Sequence, residues 1–245
     1  MKRIKMIVAY EGTNYCGFQV QPNGITIEEV LNKKLTELLH ENIKVIGASR
    51  TDSGVHALGN VVVFDSSTRI PGEKISFALN CMLPEDIRIQ GSCEVASDFH
   101  PRYCNTRKTY EYRIVNRTFP IPTLRNLTHF EHYPMDVERM REAAQYLVGE
   151  HDFKSFATAK LQVESTVREI YSLTVEEEGE MIVIRVTGNG FLYNMVRIIS
   201  GTLMEIGKKQ LDASIVSSIL EGCDRSLAGP TAPAKGLTLV EIEYL

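Results

Sequence analysis

Three short segments of this 245-residue chain carry residue types that could do chemistry. The first is Ala48-Ser49-Arg50-Thr51-Asp52-Ser53-Gly54-Val55-His56-Ala57, between two strand-like runs. Arg50 lies two residues before Asp52 and Gly54 two after, which sets a carboxylate on a turn whose backbone can approach a ligand closely. Alone, Asp52-Ser53-Gly54 reads as an ordinary turn and Arg50 as a surface charge. The second is Gly188-Asn189-Gly190-Phe191-Leu192-Tyr193-Asn194-Met195-Val196-Arg197, where Arg197 falls on an apolar helical face with Leu192, Met195, Val196, Ile198 and Ile199. A guanidinium there is costly unless a carboxylate from elsewhere pairs with it or its head snorkels to water at the helix edge. The third, Arg107-Lys108-Thr109-Tyr110-Glu111-Tyr112-Arg113, puts Tyr110 and Tyr112 on one strand face, where core packing is the ordinary use of either ring.

Other patterns carry less. Gly12 and Gly17 have phosphate-loop spacing but lack the following Lys and Ser/Thr, and read as a turn. His129-Phe130-Glu131-His132 offers two histidines with no third ligand and no HExxH pattern, and reads as a surface loop rather than a metal site. His56 follows Asp52 by four, yet no nucleophile elbow or Cys/His context accompanies it, so it reads as structural.

The elements that must position these segments alternate strand and helix signals. Lys5 to Tyr10 and Val61 to Phe64 are β-branched or apolar runs, and Thr26 to Leu39 repeats apolar residues at helical spacing. A short helix near Lys74 to Asn80 follows the Pro71-Gly72 breaker, and Ile87 to Val95 is strand-like. A second set begins near Thr109. Tyr110 to Val115 alternates, Asp136 caps a helix through Leu147, and Val167 to Val175 and Met181 to Thr187 form a hairpin around Glu178-Gly179. Gly190 opens a long helix to Ile206, Asp212 caps another to Leu220, and Leu237 to Tyr244 closes as a strand. Their similar content predicts an α+β protein of two related domains, 1–104 and 105–245, with mainly antiparallel sheets flanked by helices.

Composition is that of an ordinary soluble globular protein, 43% hydrophobic and 24% charged, which excludes collagen-like, low-complexity and disordered classes. The five cysteines are odd in number and contain no CxxC pair, so neither a disulfide scaffold nor a thiolate zinc site is expected. The opening apolar stretch is too short for a signal peptide, and Asn194, Arg197 and Glu205 interrupt the longest apolar helical run. No membrane contact is expected, and a reducing cytoplasm is the default. A net charge of -4 excludes a uniformly basic nucleic-acid binder. The charge is uneven, however, with +5 from His100 to Arg125 and -7 from Glu131 to Glu180. Such blocks read either as two solvated faces or as a basic, tyrosine-interleaved stripe along a phosphate backbone with the acidic half turned away.

Taken together, the segments resemble the TruA family of tRNA pseudouridine synthases. The resemblance runs through Ala9-Tyr10-Glu11-Gly12-Thr13-Asn14-Tyr15, Gly17-Phe18-Gln19-x-Gln21-Pro22, the Arg50 to Ala57 loop, Phe99-His100-Pro101-Arg102 and Lys108-Thr109-Tyr110-Glu111-Tyr112. It continues through Gly149-Glu150-His151-Asp152-Phe153, the Gly190 to Arg197 segment and Ala232-Pro233-Ala234-Lys235-Gly236-Leu237. It implies the pseudouridine synthase fold with a central active-site cleft, and isomerisation of uridine to pseudouridine without metal or other cofactor. By the same resemblance Asp52 is the essential carboxylate, either adding to ribose C1′ or removing a ribose proton. Arg197 is its ionic partner. Tyr110 stacks on the target base near C5, Arg50 fills the space left by the flipped nucleotide, and Leu237 lies under the base. Arg107 and Lys108 are expected to bind RNA phosphates.

The resemblance further implies a homodimer acting on the tRNA anticodon arm at uridines 38, 39 and 40. Phe18 stands where the family usually has Trp, Asn105 where Ala is common, and Ala159-Lys160-Leu161-Gln162-Val163-Glu164 departs from the usual segment. These changes bear on RNA contacts. The rival readings are a paralogue acting on a narrower tRNA site or another RNA such as rRNA, and an RNA-binding protein without turnover.

Overall fold

A computed structural model describes residues 1–158 and 164–245; of the departing segment 159–164, all but Glu164 lies outside the described residues. The chain divides into two compact units, Met1–Asn105 with Leu239–Leu245, and Thr106–Thr238. The sequence division at residue 105 assigns the last seven residues to the second domain. They belong instead to the first unit, because the closing strand lies beside one of its strands.

The first unit contains β1 (Lys2–Tyr10), α1 (Ile27–Leu39), β2 (Ile46–Gly47), β3 (His56–Ser66), α2 (Gly72–Asn80) and β4 (Ile87–Val95), and it receives most of the closing strand β10 (Leu237–Tyr244). The strand order is β4-β1-β3-β10, with β2 also on β3. Alternate residues of β1 are buried, with Ile4, Met6, Val8 and Tyr10 in the core, as expected of a half-buried strand. Its antiparallel ladder with β3 slips between Val8 and Tyr10, bringing Tyr10 opposite Ala57 at the end of the Asp52 loop. Thr26 caps α1 by accepting from the Glu29 N–H, while Ile27, Leu31, Leu35 and Leu39 are buried at helical spacing.

The second unit contains β5 (Thr106–Asn116), β6 (His129–Glu131), α3 (Val137–Gln145), β7 (Gly149–Asp152), β8 (Val167–Glu178), β9 (Met181–Gly188), α4 (Met195–Lys209) and α5 (Ile215–Gly222). Its strands run in the order β5-β9-β8-β7, each pair antiparallel. The β8–β9 hairpin turns at Gly179, whose φ of +65° suits glycine. Asp136 caps α3 as the sequence predicts, accepting from the Arg139 N–H.

Three local expectations change. The His129–Glu131 segment is strand β6, parallel to β5, rather than a surface loop. α4 begins at Met195 instead of Gly190, because Asn194 takes a left-handed conformation at φ 63° that breaks the helical run. α5 begins after Ser214, and Asp212 accepts from the Ser214 N–H and hydroxyl in the preceding turn. All five cysteines are free. No described helix is long and apolar enough to cross a membrane, and no cluster of three metal-ligating side chains occurs among the described residues.

Candidate active site

Asp52 lies in the first unit on the loop between β2 and β3, half-buried, with Arg50 exposed two residues before it. The loop turns tightly at Gly54 (φ +78°), where the Val55 N–H donates to the Asp52 carbonyl at 3.1 Å. A neighbouring loop fastens it along its length. The Phe18 N–H donates to the Thr51 carbonyl at 3.0 Å, and the Ser53 hydroxyl to the Tyr15 carbonyl at 3.2 Å. Tyr10 and Thr51 share a buried hydroxyl–hydroxyl bond of 2.7 Å, and Asn60 donates to the Tyr10 hydroxyl and the Ser49 carbonyl. Such a frame holds a side chain in one place, as an active-site group requires.

The two glycines read from sequence as a turn have a sharper use. A Cβ on Gly12 would stand 2.0 Å from the Val55 carbonyl oxygen, and one on Gly17, at φ +83°, 2.8 Å from that of Thr51. Both let the neighbouring loop lie directly against the Asp52 loop. His56 accepts the Gly12 N–H at 3.0 Å and is 3% exposed, the structural role expected of it.

Tyr110, Arg107, Lys108, Arg197 and Leu237 belong to the second unit. Tyr110 is a buried residue of β5, edge-on to Phe191 at 5.3 Å between ring centroids. Tyr112 is fully buried and donates its hydroxyl to the Pro233 carbonyl at 2.9 Å. Burial pushes the Tyr112 phenol above its ordinary pKa against the opposing pull of Arg197. Arg197, in the first turn of α4, donates through Nε to the Ala232 carbonyl at 2.8 Å and through Nη1 to Asn194 at 2.7 Å. Its own carbonyl accepts the Ala232 N–H at 3.1 Å.

Tyr112 and Arg197 therefore clamp the consecutive carbonyls of residues 232 and 233, and Gly236 packs directly on the Tyr112 ring. The clamp positions Leu237, 5% exposed, at the start of β10. Sequence reasoning named Arg197 and Leu237 but not the Tyr112–Pro233 bond or the Tyr10–Asn60 frame.

The basic stripe is only partly free of acids. Arg113 forms bonds of 3.0 and 2.8 Å to Glu111, which also pairs with Arg185, and Arg117 meets Glu180 at 2.7 Å. Glu180 belongs to the acidic block, so the two blocks touch rather than forming separate faces. Arg107 lies over the Tyr171 ring at 5.3 Å, leaving its guanidinium beside the aromatic face.

A family model described as tRNA pseudouridine synthase matches residues 6–104 and 143–245. The tRNA pseudouridine synthase A of Ruminiclostridium cellulolyticum is 48% identical over 245 residues, and that of Thermoanaerobacter sp. (strain X514) 46% identical over 244, each alignment covering 100% of both chains. The enzyme of that name from Myxococcus xanthus is 46% identical over 246 residues, covering 100% of this chain and 92% of its own. With its mixed α+β architecture and a match of this extent, the chain belongs to the tRNA pseudouridine synthase family.

Proposed function

We propose that the protein isomerises uridine to pseudouridine in the tRNA anticodon stem-loop, at positions 38, 39 and 40. The reaction breaks the bond from ribose C1′ to N1, turns the uracil, joins its C5 to C1′ and gives up the C5 proton while N1 takes one up, so the product is an isomer of the substrate. Asp52 is assigned as the essential carboxylate, acting by addition to C1′ or by removing a ribose proton. Either task needs an ionised carboxylate, and an arginine partner lowers a carboxyl pKa by roughly one to three units. Arg197 is assigned that role. The target uridine must leave its stack at a cost of a few kcal/mol. Stacking on Tyr110, worth about 1 to 3 kcal/mol, and the apolar surface of Leu237 help offset it. Arg50 is assigned to the vacated space, with Arg107 and Lys108 on phosphates. A cytoplasmic homodimer with a cleft for tRNA completes the reading.

Family membership with Asp52, Tyr110 and Arg197 all present is the observation that carries it. The test is incubation with unmodified tRNA transcripts, total tRNA and rRNA, followed by pseudouridine mapping. Product at the anticodon-arm uridines is expected, and Asp52→Ala abolishes turnover while leaving RNA affinity within a few-fold. Product at one tRNA site or in rRNA alone selects the paralogue reading, and no product at any uridine sinks the enzyme. Activity retained by Asp52→Ala shows that the carboxylate is another residue.

A further inference from the structure

The turn from Phe99 to Asn105, in the first unit, is anchored far more heavily than its exposure suggests. Arg3 donates to the Phe99 carbonyl at 3.0 Å while a bidentate pair with Asp65 locks its own fork. The Tyr244 hydroxyl donates to the Pro101 carbonyl and the Leu245 N–H to that of Asn105, both at 3.1 Å. Phe99 packs on the Tyr244 ring at 5.0 Å. Within the turn, the Arg102 N–H donates to Nδ1 of His100 at 3.2 Å, which makes that nitrogen an acceptor and leaves the imidazole neutral with its proton on Nε2. On this fixed base Tyr103 stands 84% exposed, one ring face stacked on His100 at 4.0 Å and 18°.

The adjacent residue gives the exposed ring a context. Arg102 lines a cavity of about 150 Å³ with Arg50, Phe18, Gln19, Glu28 and Gly47. The Glu28 carboxylate accepts the Val20 N–H at 2.8 Å, and the two guanidiniums leave the cavity net positive. An open aromatic face on the residue next to Arg102, which lines the cavity with Arg50, complements one nucleotide, with a base for the ring and a phosphodiester for the guanidiniums. We propose that Tyr103 and Arg102 form an RNA-positioning subsite in which Tyr103 stacks on an unpaired base of the substrate and Arg102, with Arg50, holds its phosphodiester. The subsite rests on the RNA-modifying reading above and adds two positioning residues to it. Anchoring the turn in advance spares the complex the entropy of ordering it.

The chain has no tryptophan, so Tyr103→Trp introduces a sole indole reporter at the platform. Titration with an unmodified tRNA anticodon-arm transcript is expected to quench it, saturating in the concentration range of KM. Tyr103→Ala should raise KM roughly five- to a hundred-fold, with kcat at saturating RNA changing much less, and Tyr103→Phe should restore binding. Arg102→Ala should lower the slope of log affinity against log salt by about one. Phe77→Ala, removing a 70% exposed ring on α2, serves as the control and should change none of these. Unquenched indole fluorescence with an RNA that the wild-type protein turns over overturns the subsite and leaves the enzyme reading intact. A change of sedimentation in Tyr103→Ala with unaltered KM also overturns it, identifying the ring as a contact between copies. Failure of the wild-type protein to bind or modify any RNA overturns both.

Discussion

Gly201→Ala puts a methyl carbon 1.9 Å from the Pro230 carbonyl oxygen, 3.0 Å from its carbonyl carbon and 3.4 Å from the Ala232 nitrogen. The oxygen must retreat by roughly 1 Å to reach even a tight carbon–oxygen contact. It has little freedom to do so, because the Gly229 N–H is bonded to the Thr202 hydroxyl at 2.9 Å and Ala232 is tied to Arg197 through both its N–H and its carbonyl. Overpacking costs about 1–3 kcal/mol and each strained hydrogen bond about 0.5–1.5, while alanine returns about 1 through helix propensity. With two hydrogen bonds strained the net is a loss of about 1–5 kcal/mol, or a melting midpoint lowered by roughly 2–20 °C in a protein of this size. Calorimetry beside Gly91→Ala supplies the control, since a Cβ at Gly91 in β4 meets nothing within 4 Å and the change there should stay within about 1 kcal/mol. A Gly201→Ala midpoint unmoved from wild type refutes the close packing of residues 229–232 on α4. Equal losses in the two variants refute it too.

Replacing Arg107 and Lys108 with glutamine should reduce the slope of log RNA affinity against log salt by about one to two, from roughly 0.9 per phosphate contact; an unchanged slope moves the RNA-binding face elsewhere. Glu131 tests pH dependence. Burial pushes its carboxyl up, but the Tyr133 N–H and the Lys208 ammonium, 3.0 Å away, outweigh burial and hold it below its ordinary 4.5. A depressed folded pKa stabilises fully above that ordinary value and is lost as pH falls through the folded one. Glu131→Gln should therefore flatten the fall of the urea midpoint below about pH 4.5, and a fall as steep as wild type counts against this coupling.

What could be read from sequence was whatever depended on neighbours a few residues away. Asp136 caps its helix because an N-cap bonds three residues ahead. The Asp52 turn was legible from Gly54 in the same way. The glycines behind that loop were not, because Gly12 meets Val55 at a separation of 43 and only the fold reveals the near-contact. Tyr112 reaches Pro233 at a separation of 121, and Arg117 reaches Glu180 at 63, so no local count detects that bond or the partial neutralisation of the basic stripe. Asn194 was hidden differently. The helical spacing of Leu192, Met195, Val196, Ile198 and Ile199 spans it, and its left-handed backbone delays α4 to Met195. β6 exists because β5 offers it an edge, a condition that three residues cannot announce.

The return of Leu239–Leu245 to the first unit bears on how the protein is made. During translation, β1, β2, β3 and β4 precede the second unit, but β10, a further neighbour of β3, follows it. The second unit is synthesised whole in that interval and can gather β5 through β9 while the nascent first unit still presents unpaired backbone along β3. Residues 239–245 thus seal the first unit, and a chain cut just before them would leave that side of β3 open.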